Sequence, residues 1–286
     1  MGRLSFLLNI GTDTKRNSPR TKMPAHGNCG ARPCLPDEMA ISSAPEPSAE
    51  VALILIPARN EAATIGRIVR GCRRAGFSVM VIDDASSDAT ARLAAQAGAE
   101  VVALPGPHHG KTAALHHALA LLPRAGLPGS VDWLFFLDGD GQHHPADLER
   151  FWRLRAEADL IVGNRFPDAD RMPLLRLWTN RAMSALLRRS GIRDSQCGFR
   201  LVRRAWLGSW LPAGHHFQYE TEMALLAATR PGRILNLPIP ATYAREESKI
   251  VPWRDALNFA RCLLRHRTPS SRPGVARVRE QNAYAR

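Results

Sequence analysis

From Val51 onward the chain alternates between solid apolar blocks and longer stretches in which apolar residues recur every three or four positions. The first block, Val51–Pro57 (VALILIP), is unbroken, β-branched and closed by a proline, the pattern of a strand buried on both faces. Ile65, Ile68, Val69 and Cys72 then mark one face of a helix over 62–75. Val79–Asp83 (VMVID) predicts a second buried strand and 87–97 a second helix. Val101–Leu104 predicts a third strand, and a third helix follows from Lys111 to Leu122. Val131–Asp138 (VDWLFFLD) predicts a fourth strand, and Pro145 suits the first position of a helix reaching Arg155. Four strand–helix alternations in succession predict an α/β layer around a mostly parallel sheet.

Beyond Arg155 the alternation loosens. The pattern predicts a strand at Leu160–Gly163, an arginine-rich amphipathic helix over 173–189, a strand over 197–203 and a helix over 219–228. Pro238 and Pro240 interrupt Ile234–Tyr243, which reads as an edge strand or an extended segment. A last helix is expected over Trp253–Leu264. Its Leu257, Phe259, Leu263 and Leu264 alternate with Arg254, Arg261, Arg265 and Arg267. That pattern suits either an interfacial helix on anionic lipid or a helix packed on the domain. Residues 1–50 are rich in Pro, Gly, Ser and Asn without periodicity, so a disordered leader is expected there. The Pro-, Ser- and Arg-rich stretch 268–286 is expected to be a disordered basic tail. One domain spanning 51–267 remains.

Charge narrows the partners. Thirty-nine Lys and Arg against 26 Asp and Glu give a formal net charge of +13, which favours a nucleotide, a phospholipid surface or a nucleic acid. Ten arginines fall between Arg165 and Arg204, and eight between Trp253 and Arg286. An aromatic content of 6% with no aromatic–basic interleaving argues against a nucleic-acid partner. Cys29, Cys34, Cys72, Cys197 and Cys262 lack zinc-site spacing and read as free thiols. The apolar run Leu4–Ile10 is too short for a secretory signal, and no run approaches the roughly 18–20 residues that span a bilayer. The expected location is cytoplasmic, with a peripheral place on the inner face of the membrane left open.

The sharpest chemistry follows the apolar strand WLFFL, in Asp138-Gly139-Asp140-Gly141-Gln142-His143. Ligands of open α/β sheets bind at the carboxyl ends of strands. Two carboxylates one residue apart, on glycine-bent backbone, make a hard-oxygen site for Mg²⁺ or Mn²⁺ carrying substrate phosphates. Pro57-Ala58-Arg59-Asn60-Glu61 ends the first strand, and Asp83-Asp84-Ala85-Ser86-Ser87-Asp88 ends the second. Each alone could be a capped loop; together they place polar residues where a nucleotide cleft needs them. His109-Gly110-Lys111 opens a helix whose N-terminus can face phosphate or a base edge. There is no G-x-x-x-x-G-K-[ST], and no G-x-G-x-x-G follows the first strand, so phosphate-loop and dinucleotide enzymes are disfavoured.

These four clusters, in this order and spacing, resemble the family 2 glycosyltransferases of the GT-A fold over roughly residues 51–267. Gly163-Asn164-Arg165, Asp194–Arg200 (DSQCGFR), Tyr219-Glu220-Thr221-Glu222 and Ser248-Lys249-Ile250 are similar to the polyprenyl- or dolichyl-phosphate hexose synthase branch. The resemblance implies a Rossmann-like, mostly parallel central sheet flanked by helices, with a nucleotide-sugar half at 51–164 and an acceptor-side extension at 165–267. It implies a UDP- or GDP-hexose donor, and Asp138, Asp140 and Gln142 as ligands of the metal or neighbours of the diphosphate. Pro57, Arg59 and Glu61 would floor the nucleotide, Asp84 would contact base or ribose, and Lys111 would stand near them. Many relatives carry a second glycine after that lysine. Here Gly110-Lys111-Thr112 replaces it, so a less mobile loop is expected.

The acceptor decides the remaining chemistry. A hydroxyl acceptor needs a base. A phosphate monoester does not, because its second pKa is about 6 and it is largely ionised at neutral pH. It needs positive charge instead, which Arg165, Arg181 and Arg200 could supply through directional guanidinium contacts. Asp140, Arg165 and Arg200 are therefore the candidate catalytic groups for transfer to a polyprenyl phosphate at an anionic membrane surface. Glu220 and Glu222 keep a hydroxyl acceptor open. Two apart on a helix, they point to different faces, and Glu222 is the preferred base.

Overall fold

The computed structural model describes residues 51–122, 131–212 and 219–241, together with the backbone of a strand at 277–280. The expected leader at 1–50, the helix at 253–264 and the Ser248-Lys249-Ile250 motif lie outside the described residues.

The solid apolar blocks form the centre of one sheet. Strands β1 (Val51–Ala58), β2 (Ser78–Asp83), β3 (Glu100–Ala103) and β4 (Val131–Phe136) run parallel, with β1 between β2 and β4. Leu53–Ile56, Val79–Ile82 and Trp133–Phe136 are almost wholly buried, as strands covered on both faces must be. β5 (Leu160–Asn164), β6 (Arg200–Arg203), β7 (Arg233–Pro238) and β8 (Arg277–Glu280) complete the order β3-β2-β1-β4-β6-β5-β7-β8. β6 alone opposes its neighbours, lying antiparallel to both β4 and β5.

Seven α-helices accompany the strands among the described residues: α1 (Ile65–Arg74), α2 (Thr90–Gln96), α3 (Lys111–Leu121), α4 (Leu148–Arg153), α5 (Leu174–Leu186), α6 (Arg204–Leu207) and α7 (Tyr219–Thr229). The periodic face of α1, with Ile65, Ile68, Val69 and Cys72, is the face it buries. Gly71 is required there by packing, because a Cβ would come within 2.8 Å of Pro145. Phe135 of β4 meets Phe77 edge-on at 5.2 Å, and Phe151 of α4 stacks on Phe199 at 4.3 Å. Removing a ring from such a core costs roughly 3–5 kcal/mol. This is the α/β sheet flanked by helices that the alternation predicts.

Three expectations need correcting. The proline-broken segment is not an edge: β7 pairs with β5 on one side and β8 on the other, and Pro238 only terminates it. Residues 277–280, expected to be without structure, supply β8; Arg-Val-Arg-Glu is too short an alternation to read. The strand expected over 197–203 begins only at Arg200, because the carbonyls of Ser195, Cys197 and Gly198 accept side-chain hydrogen bonds instead of joining a ladder.

Candidate active site

The chain passes from β1 through β2 to β3 on one side, then returns to place β4 on the other side of β1. The carboxyl ends of β1 and β4 therefore flank the switch point of the sheet, where a crevice forms. Both expected loops meet there. Thr64 donates its hydroxyl to the Gly139 carbonyl at 2.6 Å, and a Cβ on Gly139 would sit 3.4–3.5 Å from Ala58, Glu61 and Pro57. Arg59 is exposed beside them. The loops after β1 and β2 are laced together: Ser86 accepts from Asn60 N at 3.0 Å, Asn60 accepts from Ser87 N at 2.8 Å, and Asp88 accepts from Ala62 N at 3.1 Å. Asn60 and Ala85 both hold φ at +54°, a left-handed conformation that costs about 1 kcal/mol or more outside glycine.

Asp138 lies at the centre of a charge cluster. Lys111 Nζ, at the first position of α3, is 2.5 Å from Asp138 Oδ1 and 2.8 Å from Glu220 Oε1 at the start of α7. Residues 109 positions apart in sequence thus meet at one ammonium. His143 Nε2 is 3.6 Å from Asp138 Oδ2, and its ring lies against Phe199. Gly198 comes so close that a Cβ there would lie 2.5 Å from Asp138 Oδ2. Burial alone would raise the Asp138 carboxyl, but Lys111 and His143 outweigh it and hold it well below the usual carboxylate range. Asp140 goes the other way, raised by burial and then by the charge of Asp138. Its oxygens accept from the backbone N–H of Gln142 at 2.9 Å and from the Gln142 amide at 2.8 Å.

Asp84, expected at base or ribose, is buried and spent on the neighbouring loop. It accepts from the amides of His109 at 2.9 Å and Gly110 at 2.7 Å, and His108 Nδ1 lies 2.6 Å away. Burial raises its carboxyl, but these donors together bring it below the ordinary value. Asp84 thereby fixes the entry to α3 and, one residue on, Lys111. Lys111 in turn stands at the Asp138 carboxylate. Its burial would lower the ammonium, but Asp138 and Glu220 raise it well above an ordinary lysine.

The arginines divide. Arg165, at the end of β5, is buried in a two-pronged pair with Asp194: Nε to Oδ2 at 2.7 Å and Nη2 to Oδ1 at 3.0 Å. Arg200 is fully enclosed. Its Nε donates to Cys197 O at 2.9 Å, Nη1 to Glu220 O at 3.0 Å and Nη2 to Ser195 O at 2.7 Å. A guanidinium committed to three carbonyls cannot clamp an acceptor phosphate, so that expectation is corrected: Arg200 ties the 195–197 loop to the start of α7. Arg181 is exposed on α5. Of the two acids on α7, Glu220 and not the preferred Glu222 meets Lys111; Glu222 is also buried, with 2% of its surface exposed. Asp194 and His143 escaped assignment although each stands inside a recognised motif, and Glu220 entered only as a candidate base, because nothing local in sequence shows which partner they face. Cys197 is buried, and burial pushes its thiol up to about 12, which removes it as a nucleophile at neutral pH.

The donor set suits a hard divalent cation. Asp138 and Asp140 present two carboxylates of which one is destabilised as an anion, and Gln142 adds an amide. No group of three or more His, Cys, Asp or Glu residues is arranged for a metal among the described residues. Two carboxylates and an amide fit an ion that brings most of its oxygens as phosphate and water, as Mg²⁺ commonly does.

Comparison with known proteins bears on the family and the fold. The chain is 32% identical over 206 residues to glycosyltransferase AglJ of Haloferax volcanii, covering 69% of this chain and 64% of that protein. It is 28% identical over 202 residues to an undecaprenyl-phosphate mannosyltransferase of Micrococcus luteus, covering 65% of this chain and 82% of that one. Its fold matches glucosyl-3-phosphoglycerate synthase from Mycobacterium tuberculosis, solved with Mn²⁺, UDP-glucose and glycerol 3-phosphate. The TM-score is 0.56 at 21% identity, over 76% of this chain and 80% of that one. The fold is thus the GT-A fold. The glycosyl transferase family 2 profile matches residues 53–210, more than half of the chain. With that match, and with paired carboxylates at the switch point of the sheet, the chain belongs to glycosyl transferase family 2 and is a glycosyltransferase.

Proposed function

We propose that the protein moves a hexose from a nucleotide-diphosphate sugar to a polyprenyl phosphate, with inversion at the anomeric carbon. The observation that carries this reading is the state of the acids around the cleft. Asp138 is paired with Lys111, Glu220 is committed to the same lysine, and Glu222 is buried within α7. A hydroxyl acceptor would need one of them as a base. A phosphate monoester arrives already ionised and needs none. The similarity to an undecaprenyl-phosphate mannosyltransferase supports the same acceptor class.

Asp138 and Asp140, with Gln142 beside them, would hold Mg²⁺ or Mn²⁺, which when bound neutralises charge on the departing diphosphate. Pro57, Arg59 and Glu61 lie across from these carboxylates and would form the floor for the nucleotide. Lys111 balances the two carboxylates before donor enters and keeps a positive charge within reach of the diphosphate. Arg165, held by Asp194, would place positive charge and a rigid wall at the acceptor side of the cleft, and Asp84 would set the loop that closes the nucleotide side. Acceptor access implies a membrane surface. No helix among the described residues is long and apolar enough to cross a membrane, so contact through these residues is peripheral.

The test is a panel of labelled UDP- and GDP-hexoses with Mg²⁺ or Mn²⁺, with and without short-chain polyprenyl phosphate, followed by organic extraction. Label in the organic phase only when both metal and lipid are present is the expected result and identifies the donor. Metal-dependent donor hydrolysis with no label in that phase would redirect the acceptor to hydroxyl compounds.

A further inference from the structure

Helix α5 carries an outward face that packs against nothing described. Six large apolar side chains are exposed among the described residues, and four of them are Leu174, Leu175, Trp178 and Leu186 of α5, each 65–73% exposed. The side that α5 buries holds Leu177, Asn180 and Ser184. At about 3.6 residues per turn, Leu174, Trp178 and exposed Ala182 and Ala185 fall along the opposite stripe.

Between the buried side and the apolar stripe runs a basic rim. Arg181, Ala185 and Arg188 border an open groove of about 390 Å³, closed on its other side by Phe166, Ile192 and Arg193. From Met172 to Arg193 the sequence holds five arginines and no acid. Arg181 lies over the rings of both Phe166 and Trp178, at 5.9 and 6.0 Å, so charge and aromatic surface are contiguous.

We propose that this face of α5 docks the protein on the surface of an anionic phospholipid bilayer, with Leu174, Leu175 and Trp178 in the headgroup–acyl boundary and the arginine rim against lipid phosphates. The chemistry of the face selects this occupant. A nucleic acid would match the arginines but not the exposed leucines, and a second copy of α5 would bring like charges together. An anionic bilayer offers apolar depth and negative charge in one surface, which tryptophan and arginine suit. The groove borders the catalytic cleft in sequence, since Phe166 follows Arg165 and Arg193 precedes Asp194. Docking here presents the acceptor side of the cleft to the membrane, but the inference rests on α5 and not on the identity of the acceptor.

The test is co-sedimentation of the full chain with vesicles of phosphatidylcholine alone or with added phosphatidylglycerol, without donor, metal or acceptor. The wild-type protein should partition onto the anionic vesicles at least about tenfold better, and salt should weaken the binding. Leu174→Glu with Trp178→Glu, and separately Arg181→Gln with Arg188→Gln, should each reduce binding about tenfold while thermal melting stays unchanged. Equal binding to both vesicle types would overturn the proposal. So would α5 variants that bind like wild type, including a case in which only Arg261→Gln on the terminal segment reduces binding. Dimerisation of the wild type that Leu174→Glu with Trp178→Glu abolishes would assign the face to a second copy instead.

Discussion

Asp138 and Asp140 stand one residue apart and are driven in opposite directions by what surrounds them. Lys111 and His143 outweigh burial and keep Asp138 ionised; burial and the neighbouring negative charge make ionisation of Asp140 costly. A divalent cation held beside Asp140 would favour its ionised form. Asp140→Asn should therefore lower turnover by at least about 100-fold, since even changes one step removed from a metal can cost 10–100-fold. It should also weaken Mn²⁺ binding followed by electron paramagnetic resonance, while melting temperature holds or rises. Undiminished turnover in a folded variant would remove Asp140 from the metal site. Asp84 gives a pH signature. Its folded pKa lies below the unfolded value of about 3.9. Its stabilisation is complete above that value and is lost as pH falls through the folded pKa. The melting difference between wild type and Asp84→Asn should be full at neutral pH and shrink below about pH 4. A difference that grows on acidification would contradict the assigned bonds to His109 and Gly110.

At the scale of elements, Arg200 joins three pieces of chain: the start of β6, the loop through Ser195 and Cys197, and the first turn of α7. Arg200→Ala leaves three carbonyls without these donors and should cost about 3 kcal/mol or more in denaturant titration. Wild-type stability with a selective rise in acceptor KM would return Arg200 to a phosphate-binding role. The element pattern was legible where burial is two-sided. β1, β2 and β4 appear as solid apolar blocks because helices cover both faces of the sheet. It was illegible where backbone groups serve side chains, as in 194–199, and where a strand is only four residues long, as β8 is. Pro238 misled because it marks a strand end inside the sheet as readily as a strand at its edge.

Across the whole molecule, chain reversal between β3 and β4 brings Pro57–Glu61 and Asp138–Asp140 to one crevice, and that much follows from alternation and strand ends alone. What does not follow is pairing at a distance: Lys111 with Glu220, 109 positions apart, and Arg165 with Asp194, 29 apart. The first of these pairs is the one on which the proposed acceptor class rests. The most direct measurement compares transfer from one labelled nucleotide hexose to a short polyprenyl phosphate and to the polyprenol of the same length. The account predicts labelled product from the phosphate and essentially none from the alcohol, because among the described residues Asp138 and Glu220 are paired with Lys111 and Glu222 is buried. Comparable transfer to the alcohol would contradict it and would place a working base on α7.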